Sequence, residues 1–197
     1  MSLEKPGNNC NILKYREKII EGKCIDLVPV KEELLPRVIE LRNQERSRYF
    51  LNQSVILTLE MQKKWYDEYL KRDNDIYWCI RNRENIIVGT VRLYNITENS
   101  CDHGSVMIDE TYSMGMPYAL EAEILSLEFA FYTLKVKQIF NDDRHDNKMM
   151  NSISRKMGFV FQNVIDIGGI PYNHYILEEK NLKTEKYKAA LETFMDR

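Results

Sequence analysis

Three stretches carry residue types able to do chemistry. The first is Ser113-Met114-Gly115-Met116-Pro117, a glycine turn leading into a helix-forming segment from about Tyr118 to Thr133. A helix that starts directly after a Gly turn offers unpaired N–H groups and a positive field, so it can seat a phosphate. The second is the polar, aromatic-bearing run from Asn43 to Ser54, where Arg42, Arg46 and Arg48 surround Tyr49 and Phe50. Held above a rigid sheet, such a loop can bind substrate, and its arginines suit a diphosphate or a carboxylate. The plain alternative is a surface loop whose Tyr49 and Phe50 plug the core. The third is Asp142-Asp143-Arg144-His145-Asp146, which has the composition of a metal site but reads as solvated charge. Cys10, Cys24, Cys79 and Cys101 lie far apart with no zinc or redox spacing, so free thiols in a reducing compartment are expected.

These stretches need a scaffold, and the pattern around them supplies one. Ile25 to Val30 alternates as a first strand, and Leu34, Leu35, Val38, Ile39 and Leu41 follow at helical spacing. Pro36 fits only the first turn of that helix. Thr58 is a helix cap before Met61, Trp65 and Tyr69, which share one face. Ile76 to Arg81, Ile86 to Tyr94 and His103 to Ile108 form a three-strand meander. Gly89 within it marks a bulge or a close backbone approach. The helix from Tyr118 is followed by a short strand, Lys137 to Phe140, then by a helix ending at Gly158-Phe159. Two strands joined in this way form a crossover unit around a parallel pair. Val160 to Ile167 and Tyr172 to Glu178 make a closing hairpin through Gly168-Gly169. Ile12 to Glu21 is left open between strand and helix. The tail after Lys180 has an apolar stripe, Tyr187, Leu191, Phe194 and Met195, for docking on the body or on a second subunit.

The chain has 197 residues, 29% of them charged, with a formal net charge of −2. One domain with a full core is expected at that length. The bulk charge gives no reason to expect nucleic acid as a partner. No apolar run approaches the ~18 residues of a membrane span, and no signal segment opens the chain, so a cytoplasmic protein without a membrane partner is expected.

The order strand, two helices, three-strand meander, glycine-turn helix, strand, helix, hairpin resembles the GNAT acyltransferases, which are acetyl-CoA-dependent N-acetyltransferases. The likeness covers about Ile25 to Glu178 and rests on two motifs. Asp109 to Ala119 aligns with the family's pyrophosphate loop, Arg/Gln-x-x-Gly-x-Gly/Ala. Asn147 to Phe159 aligns with its Asn-led helix ending in Lys-x-Gly-Phe and is the more specific of the two. The first motif departs from the pattern: the basic or Gln lead is missing, and Pro117, which has no N–H, replaces the last glycine. Weaker cofactor binding or a shifted contact is the expected consequence. The resemblance implies an α/β fold, with a central mixed twisted sheet of about six or seven strands flanked by helices and one splayed parallel pair. It divides the chain into an N-terminal extension (1–24), the acetyltransferase domain (25–178) and a helical tail (179–197).

The resemblance also implies roles. Acetyl-CoA is the acyl donor, its diphosphate on Met114, Gly115, Met116, Tyr118 and Ala119. Its pantetheine lies along the splayed strands at Met107, Ile108 and Phe140, with Asn147 and Lys156 as further contacts. His103 is the first candidate for the general base, because relatives often carry Glu in that strand and imidazole titrates near neutrality. Glu110 is the second, with His145 and His174 as further options. Ser154 stands where many relatives place the tyrosine that protonates the thiolate. Leu41-Arg42-Asn43 with Trp65-Tyr66 resembles the bacterial nucleotide-amino-sugar N-acetyltransferases, which suggests Arg42, Arg46, Arg48 and Trp65 for a nucleotide sugar. The ribosomal-protein alanine acetyltransferases share the frame, so a protein N-terminus is the alternative acceptor. A non-catalytic acyl-CoA-binding domain is a third reading, kept open by Pro117 and Ser154. The family needs no metal. A homodimer through the tail or the last hairpin is left open.

Overall fold

The computed structural model describes residues 12–195. Helix α1 (Leu13–Arg16) and a short strand β1 (Ile20–Glu21) precede β2 (Ile25–Pro29), so the segment left open by the sequence contains one of each. Helices α2 (Leu35–Asn43), α3 (Glu45–Phe50) and α4 (Leu59–Lys71) follow, then strands β3 (Ile76–Asn82), β4 (Ile87–Tyr94) and β5 (Ser100–Ile108). A short α5 (Glu110–Ser113) leads to α6 (Tyr118–Glu128), β6 (Gln138–Arg144), α7 (Lys148–Met157), β7 (Val160–Ile167), β8 (Ile170–Glu178) and α8 (Glu185–Met195). The strands form one sheet in the order β1-β2-β3-β4-β5-β6-β8-β7. The expected count of six or seven rises to eight because β1 adds a two-residue edge.

The alternation in β3 sorts the helices onto two faces. Trp78 and Ile80 point into the larger core with α6 residues Ala122, Ile124 and Leu127. Tyr77 and Cys79 point the other way, into a cluster with Leu35 and Val38 of α2 and Tyr69 of α4. Leu191 of α8 belongs to the larger core, so the tail docks on the body of its own chain. Glu121 of α6 accepts the backbone N–H groups of Lys23, Cys24 and Ile25 and pins the start of β2 to that helix.

Three local features shape the centre of the sheet. The parallel pair β5–β6 is bonded only from Ser100–Gln138 to Asp102–Phe140. Beyond that point the strands part, so the edge of β5 from His103 to Ile108 is not paired with β6. Gly89 makes the close approach read from the sequence: a Cβ there would run into the Met107 carbonyl. The β4–β5 register shifts between Thr90 and Arg92, where Ser105 has a positive φ of 54° and Thr90 Oγ1 donates to the Ser105 carbonyl at 2.8 Å. A bulge at this point re-aims the rest of β5.

The run from Asn43 to Ser54 is not a loop throughout. Glu45 to Phe50 forms α3, with the Arg48 N–H donating to Gln44 O at 2.9 Å. The helix from Tyr118 likewise changes character, passing into a π-helical turn over Phe129–Leu134.

Candidate active site

A cavity of about 180 Å³ opens where β5 and β6 part. Its floor is Val106, Met107 and Ile108, the residues beyond the bulge. Its walls come from α3 and the residue after it (Arg46, Ser47, Phe50 and Leu51), from the start of α5 and the turn into α6 (Glu110, Met116 and Ala119) and from the cap and first turn of α7 (Asn147, Met149 and Met150). The lining is mostly apolar, with few polar side chains, which is the make-up of a small-molecule site.

The helix starts supply polar groups. Gly115 has φ +73° with nothing near its missing side chain. The first intrahelical bond of α6 runs from Glu121 N–H to Pro117 O at 2.9 Å. The N–H groups of Tyr118, Ala119 and Leu120 precede it, as helix geometry requires at any N-terminus. Asn147 caps α7, its side-chain oxygen accepting the Met150 N–H at 3.2 Å. Its amide NH₂ is the half able to donate into the cavity.

On the cavity wall Arg46 Nη1 donates to Glu110 Oε1 at 3.4 Å, an exposed ion pair. Asp109, just before Glu110, caps α5 through the Thr111 N–H at 2.9 Å and pairs with Arg37 of α2. Helix α3 is also tied to the β6–α7 turn. The Arg144 guanidinium lies 4.0 Å over the Tyr49 ring and donates to Tyr49 O at 3.1 Å. The Tyr49 hydroxyl donates to Asp146 Oδ2 at 2.6 Å. Arg144 also donates to both Asp146 oxygens, at 3.0 and 2.9 Å, and Arg144 first, then Tyr49, hold the Asp146 carboxyl well below its usual range. Tyr49 is therefore a strap between the cavity walls, not a core plug.

Behind the cavity, between the sheet and helices α6 and α7, lies a second polar group. His103 is 2% exposed. Its Nε2 is 2.9 Å from Ser126 Oγ, which itself donates to Ala122 O at 2.7 Å. The Ser126 proton is therefore committed, and His103 carries its hydrogen on Nε2. The Nδ1 lone pair faces Glu123 Oε2 at 3.8 Å. Neither carboxyl oxygen of the fully buried Glu123 has a hydrogen-bond partner. Burial, then the charge of Asp143, pushes Glu123 well above the usual carboxylate range. Burial pushes His103 down to about 4. Asp143 is pushed up to about 6 by burial, against hydrogen bonds from Ser154 and Asn141. Ser154 Oγ donates to Asp143 Oδ2 at 2.6 Å and accepts from Asn141 at 3.0 Å.

The structure thus brings Arg46, Met107, Ile108, Glu110, Met116, Ala119 and Asn147 to one cavity, with Gly115 and Tyr118 beside it at the α6 start. It places others elsewhere. His103 and Ser154 are buried behind the cavity, where a molecule held against its lining does not touch them. Arg42 donates to Gln53 Oε1 at 3.1 Å, and Arg48 reaches Ser54 O at 3.4 Å. Trp65 stacks on Tyr69 at 5.3 Å against the smaller core. Lys156 is exposed in the last turn of α7, and Met114 is 91% exposed. His145 bonds Asn173, and His174 pairs with Asp142. The reading of residues 142–146 as solvated charge fails at Asp143, which is 7% exposed. Sequence reasoning missed Glu123 and Asn141. The signal for Glu123 was present: an acid set between Ala122 and Ile124, in a helix most of whose residues are buried.

The comparisons agree with this geometry. A family model described as Acetyltransferase (GNAT) domain matches residues 25–160. No curated protein matches the chain. Among solved structures, a nucleotide-linked-sugar GNAT, apo FdhC, superposes with a TM-score of 0.75 at 24% identity, covering 89% of this chain and 98% of that one. A spermidine N-acetyltransferase from Vibrio cholerae, in complex with CoA and spermine, gives 0.74 at 14% identity, covering 81% and 98%. A GCN5-related N-acetyltransferase from Brucella melitensis gives 0.72 at 18%, covering 91% and 86%. At these identities the likeness is one of fold. Among the described residues no helix is long and apolar enough to cross a membrane.

Proposed function

The chain belongs to the GNAT acetyltransferases, and we propose that it transfers an acetyl group from acetyl-CoA to a primary amine in the cavity at the β5–β6 split, most favourably on a nucleotide-linked amino sugar. The observation that carries this reading is the position of the cavity. It lies against the unpaired edge of β5 and between two helix N-termini, with one carboxylate and one arginine on its wall. The residues present fit acetyl-CoA. The open β5 edge offers backbone groups to the pantetheine amides, and the Gly115 turn with the α6 start offers N–H groups to the diphosphate. Pro117 removes one donor at the place where the helix has donors to spare.

Acetyl-CoA supplies the thioester carbonyl: the amine nitrogen adds to its carbon, the C–S bond breaks as the adduct collapses, and CoA leaves as a thiolate that takes its proton from solvent. The acceptor must reach that carbon as a free amine. Glu110 is the acid on the cavity wall and takes the proton that the amine gives up. Arg46, facing Glu110, holds the acceptor's anionic group. The Asn147 amide orients the acyl end through its NH₂. Asn147 itself is fixed by its bond to Met150, so it loses little freedom on binding. His103, Glu123 and Asp143 form a buried support beneath the site. Ser154 is part of that support: its hydroxyl proton is already given to Asp143.

An arginine at the cavity favours an anionic acceptor over a polycation, which is why a nucleotide sugar is preferred here. The fold likeness to a nucleotide-linked-sugar GNAT lends the same direction. The test is thiol release from acetyl-CoA with the purified chain against nucleotide-linked amino sugars, polyamines and short peptides with free N-termini. Release with a sugar nucleotide supports the reading. Release with peptides alone moves the acceptor to a protein terminus. CoA binding without release with any amine makes the chain an acyl-CoA-binding domain.

A further inference from the structure

Asn151 closes the first turn of α7 and is 2% exposed. Its amide is fully used. The NH₂ donates to Arg144 O and to Asn147 O, both at 2.8 Å. The amide oxygen accepts from the Asn173 NH₂ and, at 2.8 Å, from the Tyr175 hydroxyl. A flipped amide would set donors against donors and its oxygen against two carbonyls, so one orientation fits. The two β8 partners are held in turn. Asn173 Oδ1 lies 2.9 Å from His145 Nδ1, and Arg155 Nη1 donates to the Tyr175 hydroxyl at 3.2 Å.

Helix formation does not ask for this amide. The backbone N–H of Asn151 already bonds Asn147 O at 3.0 Å, and the Asn147 side chain already caps α7. Apolar side chains of like volume would hold such a buried position about as firmly. What the amide adds is direction. Arg144 and Asn147 are the two ends of the turn between β6 and α7, closed by the Asn147 N–H to Arg144 O at 2.9 Å. The Asn151 NH₂ bridges both ends, and its oxygen anchors the bridge to β8. A buried network with every group satisfied fixes one arrangement of what it joins.

On the footing of the acetyl transfer proposed above, in which the Asn147 NH₂ orients the acyl end, we propose that Asn151 is the positioning residue for Asn147. Asn147 can leave the cavity in two ways: its turn can shift, or its side chain can abandon the cap. The Met150 N–H holds the cap, and Asn151 holds the turn. The same turn carries Arg144 and Asp146, which the Tyr49 strap ties to α3. One buried amide therefore steadies both walls from β8.

The test is a double-mutant cycle on thiol release from acetyl-CoA. Asn147→Ser keeps a helix cap and removes the NH₂. Asn151→Leu keeps the volume and removes the bridge. Each alone should lower kcat about tenfold, and the double variant about tenfold as well, because the bridge has nothing to aim once the NH₂ is gone. Tyr175→Phe takes one donor from Asn151 and leaves the bridge, and should lower kcat only about twofold. Should Asn151→Leu fail to fold by circular dichroism, the cycle is run with Tyr175→Phe, whose loss should vanish in the Asn147→Ser background. Independent effects, about a hundredfold loss in the double variant, overturn the proposal. So does an Asn151→Leu chain with wild-type kcat. A wild type that releases no thiol with any amine refutes the transfer itself, and the same cycle read on the dissociation constant of acetyl-CoA by calorimetry then decides whether Asn151 holds Asn147 in place.

Discussion

At the mouth of the β5–β6 split, Arg46 and Glu110 stand against water, with Asn147 buried beside them. Deeper in, His103, Glu123 and Asp143 stand against one another. The two groups hold similar chemistry, acids with a nitrogen base or donor, and differ in burial. Glu110 is exposed and can exchange a proton with a molecule that enters the cavity. His103 and Glu123 are sealed between sheet and helix, and burial favours the neutral form of each. A titratable side chain in the right strand is thus not enough for catalysis. It must also keep contact with the reacting molecule.

Substitutions on the two sides should separate them. The largest effect belongs to Glu110→Gln, which should lower kcat for thiol release by about a hundredfold or more while CoA affinity stays within ~twofold. A variant with nearly wild-type turnover would transfer the base role elsewhere. Ser154→Ala takes a hydroxyl from both Asp143 and Asn141 inside the support. It should lower unfolding free energy by ~1–3 kcal/mol, read by urea titration. An effect on turnover with unchanged stability would instead return Ser154 to the reacting atoms.

The support should also show in the pH dependence of stability. Asp143, raised from 3.8 to about 6, contributes stability that is fully present below 3.8 and is lost as pH rises through about 6. Glu123, raised well above 4.5, acts with the same sign and loses its contribution further up the scale. His103, lowered from 6.5 to about 4, opposes them: its contribution is full above 6.5 and is lost as pH falls through about 4. Between about pH 7.5 and 8.5 the histidine contribution is nearly constant, and of these three groups the acids alone act. Glu123→Gln should therefore flatten the fall in stability between those two pH values, measured by urea unfolding at each. Identical slopes for wild type and variant would mean that Glu123 is not a buried neutral acid. The smallest effect is expected for Tyr49→Phe, which loses one exposed bond of the strap to Asp146. About a two- to threefold rise in the acceptor's KM is expected, with kcat kept. A large fall in kcat would make Tyr49 part of the chemistry.

Most of the frame was legible because it rests on local rules. Alternation in β3 sorted Trp78 and Tyr77 to opposite faces, and the Thr58 cap, bonded to the Met61 N–H, is where the sequence puts it. The Gly115 turn into α6 was legible because glycine and a helix start are sequence-local. What was not legible depends on the third dimension. His103 and Glu110 are seven positions apart on and beyond one strand, and only the Ser105 bulge and the packing of α6 decide which of them meets the cavity. Trp65 was assigned to substrate from its neighbours in sequence, yet its ring is taken up by Tyr69 and Tyr77. The pairing of Tyr49 with Asp146 spans 97 residues, and no local pattern announces it.

The central claim is that the cavity at the split holds the acyl donor, and its most direct test is a calorimetric titration of CoA into the wild-type chain and into Ala119→Trp. Ala119 lines the cavity at the start of α6, and an indole there fills the space between the helix and Met107. Binding to the wild type, lost in the variant while the fold persists by circular dichroism, is the predicted result. Equal binding by both proteins would place CoA elsewhere on the molecule and contradict the account.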